Sequence, residues 1–389
     1  MSPTLKELQN LRLQRYPQTK DPNLRAWNAA DEYIIQYLAE NIENFHEQRF
    51  LVVNDQFGAI SVALNEFSSE YMTDSYLSGL AIEKNLKINW PDNVKATAFS
   101  DGCFDSRVLK EAAAEKYFSV VIIRVPKHLS LLEYQLRIIS HHIDKNTMVI
   151  GAGMTKEIHK STLSLFERLI GPTRTSLAHK KARLILSNPE IAPAPMSSFS
   201  SYMVANPVLP DKKLTIFGYP GVFSREKLDL GTRVLFDHIP PLTDEKVIAD
   251  LGCGAGVIGA VIAQAYPTMR VILSDESAMA IASARKTFIE NNLTNGSFYQ
   301  TDCLENTGTE TIDLVLCNPP FHQQNVQTLS IAKKMMHQSS NRLSSNGSLY
   351  LVANRHLKYS GVLKTCFKDV SIVSDDPKFI VWRGRSPRK

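Results

Sequence analysis

The sequence predicts an α/β protein made of two tandem Rossmann-like domains, each a doubly wound sheet, built by duplication of one unit. Three observations predict it. An apolar run at 247–249 ends in Asp250-Leu251-Gly252-Cys253-Gly254-Ala255-Gly256 and opens onto an apolar helical pattern, which reads as strand, glycine turn and helix N-terminus. A second apolar run, 314–317, ends in Asn318-Pro319-Pro320-Phe321. The same order of runs, at matching spacing, recurs in the first half of the chain.

The repeat can be followed element by element. The run 50–54 and then Gly58 mirrors 247–250 and then Gly254. Tyr71-Met72-Thr73-Asp74-Ser75 mirrors 272–276, the run 120–128 mirrors 313–322, and 146–152 mirrors 347–353. Between the halves, 188–210 carries Pro189, Pro193, Pro195, Pro207 and Pro210 around a serine cluster. It follows neither the helical nor the strand period and reads as a linker. The expected domains are residues 1–187, a linker at 188–210, and residues 211–389. A length of 389 residues suits two domains.

Composition narrows the class. A net charge of +5 permits an RNA partner without demanding one. The five cysteines form no C-x-x-C pair, and Cys253, Cys303 and Cys317 lie in or beside strands or the glycine turn. That pattern suits reduced thiols in a cytoplasmic protein and predicts no metal site. No run approaches the ~18 apolar residues of a membrane helix. Lys6, Glu7 and Arg12 break up any signal-peptide core, so a cytoplasmic monomer without membrane contact is expected.

In an open α/β sheet, ligands bind beyond the carboxyl ends of the strands, so the two motifs face one crevice. Gly252, Gly254 and Gly256 allow the backbone to approach a ligand closely. The turn lacks the Lys-Ser/Thr ending of a phosphate loop. Asp250, directly before it, would repel a pyrophosphate but attract the ammonium of a zwitterionic amino acid, directly or through water. S-adenosylmethionine has such an end, together with a ribose and an adenine. Asp275, at the end of the next strand and 25 residues after Asp250, is placed to accept from the ribose, where a spacing of roughly 20 residues is usual. Asp302, ending the strand after that, is placed to accept from the adenine amino group; the plainer reading is a loop or cap aspartate.

The acceptor side is Asn318-Pro319-Pro320-Phe321. The amine of a base is a poor nucleophile because its lone pair is delocalised into the ring. The Asn318 side-chain oxygen and the Pro319 carbonyl can each accept one N–H and so favour a pyramidal nitrogen. Pro319 and Pro320 stiffen the turn, and Phe321 offers a face for base stacking. His322 is a candidate proton acceptor, against the commoner reading of an exposed histidine after a turn. The segment 214–225 reads as a strand and turn that folds over the donor, with Phe223 near the methionine or the target base, or else in ordinary core packing.

The first half has lost this chemistry. Asp55-Gln56-Phe57-Gly58 stands where the glycines would be, and Arg124-Val125-Pro126-Lys127 where Asn318 to Phe321 would be. Arg124 and Lys127, with Lys180 and Lys181, are candidate contacts to an RNA backbone. The alternative is a solvated cationic face on a purely structural domain.

Pro220-Gly221-Val222-Phe223-Ser224, Leu228-Asp229-Leu230-Gly231, the glycine turn and Asn318-Pro319-Pro320-Phe321-His322 together resemble the bacterial ribosomal RNA guanine-N2 methyltransferases. Leu13-Gln14-Arg15-Tyr16-Pro17, Ala26-Trp27, Ala29-Ala30-Asp31-Glu32-Tyr33, Asn54-Asp55-Gln56-Phe57-Gly58-Ala59 and Val352-Ala353-Asn354-Arg355-His356 resemble the large-subunit branch of that family. The resemblance covers nearly the whole chain. It implies a degenerate and an active class I methyltransferase fold in tandem, S-adenosylmethionine as donor, and a guanine N2 of 23S ribosomal RNA as acceptor. The competing readings are a small-subunit 16S enzyme, a protein-glutamine or DNA-adenine methyltransferase using a similar Asn-Pro-Pro-aromatic turn, and a non-enzymatic RNA-binding assembly factor. Without the resemblance, the residues reach only as far as methylation of an exocyclic or amide nitrogen.

Overall fold

The computed structural model describes residues 7–18, 21, 23–98, 117–193, 195–196, 199–320, 326–357 and 359–388. The chain forms two compact units, Met1–Ser198 and Phe199–Lys389. In the first, α1 (Ala29–Asn41) precedes β1 (Arg49–Val53), α2 (Ala59–Ala63), β2 (Ser68–Met72), α3 (Tyr76–Asn89) and β3 (Thr97–Ala98). There follow β4 (Val120–Arg124), α4 (Leu129–Ser140), β5 (Met148–Met154), α5 (Lys160–Leu169), β6 (Thr173–Thr175) and β7 (Ala182–Ser187). The second unit opens with β8 (Ser200–Ala205), β9 (Lys213–Gly218) and α6 (Leu230–Phe236). It continues through β10 (Val247–Leu251), α7 (Val257–Ala265), β11 (Arg270–Asp275), α8 (Ala278–Glu290), β12 (Gly296–Gln300) and β13 (Ile312–Cys317). The last elements are α9 (Val326–Arg342), β14 (Leu343–Asn354), α10 (Ser360–Cys366), β15 (Phe367–Asp375) and β16 (Phe379–Pro387).

The duplication appears in the topology. The first sheet runs β3-β2-β1-β4-β5-β7-β6 and the second β12-β11-β10-β13-β14-β16-β15, the same order shifted along the chain. In each, five strands pair in parallel and the last two pairings are antiparallel, so that β7 and β16 alone run against the other strands of their sheets. The central strands are apolar on both faces, as strands covered by helices on both sides must be: Phe50 to Val53, Val121 to Ile123 and Leu314 to Cys317 are all buried. The order reverses between β10 and β13, so a crevice opens beyond their carboxyl ends. The glycine turn follows one of these strands and Asn318 the other.

Register refines the internal match. Val53 pairs with Ile123 and Leu251 with Cys317, so Arg124 and Asn318 occupy equivalent positions. The glycines align differently from the sequence reading. Gly58 caps α2 with φ +83° and Gly256 caps α7 with φ +75°. A Cβ on Gly58 would lie 2.9 Å from Ile82 Cα, and one on Gly256 would lie 2.8 Å from Ala284 Cβ. Both let a following helix pack against the turn, so Gly58 corresponds to Gly256 and not to Gly254. The degenerate copy kept the packing glycine and lost the other two.

The stretch read as linker also differs. Residues 200–205 form β8, which pairs antiparallel with β9 from Ser200↔Gly218 to Ala205↔Lys213. The prolines bound this ribbon instead of dissolving it. Pro207 and Pro210 lie in its turn, where Asn206 Oδ1 accepts from the N–H groups of Val208 and Leu209. The far side of β9 is satisfied by α8 and its C-cap: the Asn291, Thr287 and Ser283 side chains accept from the N–H groups of Thr215, Phe217 and, just past the strand, Tyr219. The ribbon therefore belongs to the second unit.

Candidate active site

The loop after β10 is held from below. The N–H groups of Gly252 and Cys253 both reach Ser274 O, at 2.8 and 3.0 Å. Gly252, Gly254 and Gly256 have φ of +75°, +52° and +75°. Their surroundings separate their roles. A Cβ on Gly252 would press on Met335 Cε at 3.0 Å, and one on Gly256 on Ala284. One on Gly254 would enter open space, its nearest neighbour being Phe223 O at 3.9 Å. Gly254 is thus the glycine with free space beside its backbone.

Asp275 ends β11 and faces this loop. Its Oδ2 accepts from Gly254 N–H at 2.9 Å, and its Oδ1 from Ser277 N–H at 3.0 Å. Asp250 is 1% exposed. Its Oδ2 accepts from Gly259 N–H at 2.8 Å, tying β10 to the first turn of α7. Its Oδ1 is buried with no hydrogen-bond partner among the described residues. Burial pushes the Asp250 carboxyl up to about 7, the Gly259 N–H opposing this and the Asp275 charge adding to it.

Asp302 follows β12, and Thr301 N–H bonds Asp275 O, so the two acids sit at neighbouring strand ends. Asp302 is buried and its Oδ2 is paired with the Lys334 ammonium, while Cys303 Sγ–H lies 3.4 Å from its Oδ1. Phe223 is 46% exposed, and its carbonyl borders the Gly254 space, so the segment before α6 does reach the loop.

On the acceptor side, Asn318 is half-buried, Pro319 buried and Pro320 exposed. Phe321 and His322 lie outside the described residues. The Asn318 Nδ2 donates to Asp229 Oδ2 at 3.1 Å and to Thr232 Oγ1 at 2.9 Å. Its Oδ1 is buried and has no partner among the described residues. Sequence reasoning missed Asp229 and Thr232 as partners of this side chain. The available signal was an aspartate directly before a short apolar helical run, a helix N-cap pattern. It also missed Tyr202 on β8, whose buried hydroxyl has no partner among the described residues and whose pKa is raised by burial and by the Asp229 charge.

The cations of the first unit are less free than the sequence suggested. Arg124 Nε is 3.3 Å from Asp31 Oδ1, and its Nη2 donates to Asn28 Oδ1 at 3.3 Å. Both partners belong to the start of α1, and the Arg124 side chain is 14% exposed. It is committed within the fold, because a strand-end arginine beside a helix N-terminus meets that helix's acidic first turn. Lys180 Nζ bonds Glu32 at 2.9 Å but stays largely exposed and holds the Glu32 carboxyl below its usual range. Lys127 and Lys181 are exposed. Among the described residues no group of His, Cys, Asp or Glu is placed to hold a metal ion, and no helix is long and apolar enough to cross a membrane.

Comparison with known proteins follows the same division. The family described as RLMG N-terminal domain matches residues 1–191, and the one described as methyltransferase small domain matches residues 213–383. Among solved structures, the chain is similar to the T. thermophilus 16S rRNA N2 methyltransferase RsmC in complex with AdoMet and guanosine. Identity is 18%, 99% of this chain and 100% of that chain are covered, and the TM-score is 0.76. It is also similar to the precorrin-6y C5,15-methyltransferase of Geobacter metallireducens GS-15, at 12% identity over 44% of this chain and 93% of that one, TM-score 0.35. A ribosomal protein L11 methylase from Lactobacillus delbrueckii subsp. bulgaricus matches at 17% identity over 43% and 89%, TM-score 0.34. The RsmC likeness establishes a shared fold.

Proposed function

We propose that this chain, which belongs to the methyltransferases that join an RLMG N-terminal domain to a methyltransferase small domain, methylates the N2 amine of a guanine in 23S ribosomal RNA. The observation that carries the reading is the buried Asn318 Oδ1, without a partner among the described residues, beyond the end of β13 and next to the strand that carries the glycine loop. An acceptor left unpaired inside a protein is costly unless a ligand donates to it.

The donor is S-adenosylmethionine. The residues fit it: the space beside Gly254 takes a ligand against bare backbone, the Asp250 Oδ1, without a partner among the described residues, suits an ammonium directly or through water, and Asp275 lies where a ribose acceptor is needed. Asp302 keeps lone pairs for an adenine amino group beside its bond to Lys334. When bound, the donor supplies an electrophilic methyl on a cationic sulfur, which leaves with the electron pair of the broken S–C bond. The chain's own residues prepare the acceptor. Asn318 Oδ1 and the Pro319 carbonyl take the two N–H groups of the guanine amine, which draws its lone pair out of the ring. The Pro319-Pro320 turn keeps these acceptors fixed before the base arrives. Phe321 supplies a stacking face for the base. As the N–C bond forms, nitrogen becomes acidic and releases one proton to water.

The large-subunit target is supported by the match of the first half to the RLMG N-terminal domain. That half, 1–187, holds the RNA through Lys127, Lys180 and Lys181, while Arg124 braces the fold through Asp31 and Asn28. Unstacking a target base costs a few kcal/mol, so contacts away from the base are needed. The catalytic piece is 199–389, since β8 belongs with it. The test is incubation of the purified protein and a deuterated-methyl donor with protein-free 23S and 16S RNA, followed by nucleoside mass spectrometry. Labelled N2-methylguanosine in 23S RNA supports the proposal; label only in 16S RNA, or in another nucleoside, overturns it.

A further inference from the structure

We infer that Asp229 and Thr232 are positioning residues that decide which end of the Asn318 amide faces the substrate amine. The inference rests on the reading of Asn318 as the amine acceptor. An amide has two ends of nearly equal size and opposite hydrogen-bonding character. Turned by a half rotation, Asn318 would present N–H groups to N–H groups, and the substrate amine would be repelled. Asp229 and Thr232 exclude that orientation. The Asn318 Nδ2 donates to Asp229 Oδ2 at 3.1 Å and to Thr232 Oγ1 at 2.9 Å. An ionised carboxylate only accepts, so the NH2 end must face Asp229 and the oxygen must face away. Thr232 is itself pinned, because its N–H donates to the same Asp229 oxygen at 3.0 Å. The Asp229 carboxylate, the Thr232 hydroxyl and the Thr232 backbone N–H close a ring around one amide nitrogen, and the amide oxygen is left buried without a partner among the described residues.

Two consequences favour transfer. A carboxylate behind the NH2 group polarises the amide and makes Oδ1 a stronger acceptor. The same negative charge lies behind a nitrogen that becomes positive as it takes the methyl group, and charge placed in advance where charge develops lowers the barrier.

The degenerate unit provides an internal comparison. Arg124, equivalent to Asn318 by register, reaches the same two places on α1 that Asn318 reaches on α6. Its Nη2 bonds Asn28, the N-cap of α1, and its Nε pairs with Asp31, the third residue of that helix. Asp229 and Thr232 are the N-cap and third residue of α6. Both units therefore tie this strand end to the first turn of the helix that precedes the first strand of the parallel sheet, α1 before β1 and α6 before β10. In the first unit the tie is an ion pair and offers no acceptor. In the second it directs an acceptor into the crevice.

The experiment is a double-mutant cycle read by single-turnover methyl transfer, with donor and RNA affinities and Tm measured for each full-length variant. Thr232→Val and Asp229→Asn should each slow transfer about 10-fold or more, a share of the ~10²–10³ expected when an acceptor of this kind is lost altogether. Affinities should hold, and Thr232→Ser should restore the rate. In an Asn318→Ala background the same two substitutions should slow transfer no further, since they act through that side chain. Equal slowing in both backgrounds, or wild-type rates for Thr232→Val and Asp229→Asn beside a slow Asn318→Ala, overturns the inference. If Asn318→Ala itself transfers at the wild-type rate, it is the acceptor reading beneath it that falls. Should Asp229→Asn lose the helix cap and unfold, Thr232→Val against Thr232→Ser carries the test alone.

Discussion

Replacing Gly254 by valine tests the donor pocket at the point where fold and ligand make different demands. Gly254 has φ +52°, so any side chain there meets left-handed strain of about 1–3 kcal/mol. Beyond that the fold has little objection, because the new Cβ would find nothing nearer than Phe223 O at 3.9 Å. A unit with ordinary stability survives such a loss. The donor does not survive it, because the isopropyl group fills the space beside the bare backbone. We expect affinity to fall at least 100-fold, about 2.8 kcal/mol, while denaturant unfolding shows both units still folded. Gly256→Ala supplies the contrast. It has φ +75°, but its Cβ would stand 2.8 Å from Ala284 Cβ and 3.2 Å from Leu273 Cδ2. Strain plus overpacking, about 1–3 kcal/mol more, should show mainly as lost stability. Calorimetric donor titration and urea unfolding of both variants decide the matter. Near-wild-type donor affinity in a folded Gly254→Val protein refutes the pocket.

Further outcomes follow from the same geometry. Asn318→Ala should leave donor binding intact and slow single-turnover transfer by about 10²–10³; an unchanged rate removes the amine clamp. The Asp250 carboxyl, raised from 3.8 to about 7 by burial, holds a proton in the folded state that the unfolded chain releases. Its contribution to stability is therefore full at low pH and falls as pH rises through that window, by up to about 4 kcal/mol. Donor ammonium wants the ionised form, so affinity should climb as pH rises through 7 with a proton released on binding, and Asp250→Asn should flatten both profiles in calorimetry and unfolding. Arg124→Ala leaves Asp31 buried without its partner and should destabilise the first unit by about 3–5 kcal/mol, visible in Tm, while donor affinity stays unchanged. Charge reversal at Lys127, Lys180 and Lys181 should weaken RNA binding and flatten its salt dependence without touching the donor; an unaltered salt slope speaks for a purely structural face.

Features that depend on neighbouring residues were legible in the sequence. The apolar runs, the glycine turn and the Asn-Pro-Pro turn are local patterns, and the recurrence of the apolar runs at matching spacing reveals the duplicated topology. Features that depend on what a residue packs against were not. Nothing in one dimension separates Gly254, which borders open space, from Gly256, which lets Ala284 approach, and so Gly58 was matched to the wrong one. The strand at Ser200–Ala205 was hidden because serines and prolines dominate its surroundings, and its order comes from α8 side chains far along the chain. Arg124 looked like a surface cation because Asp31 meets it only in three dimensions. The ring around Asn318 joins residues 89 and 86 positions apart, beyond the reach of any periodicity.

The most direct test of the central claim is a methylation map of ribosomal RNA from cells lacking this gene, compared with cells carrying it and with cells carrying Asn318→Ala. The account predicts that one N2-methylguanosine of 23S RNA disappears in the deletion, returns with the wild-type gene and stays absent with the variant, while 16S RNA is unchanged. A complete set of 23S N2-methylguanosines in the deletion, or a loss confined to 16S RNA, contradicts it.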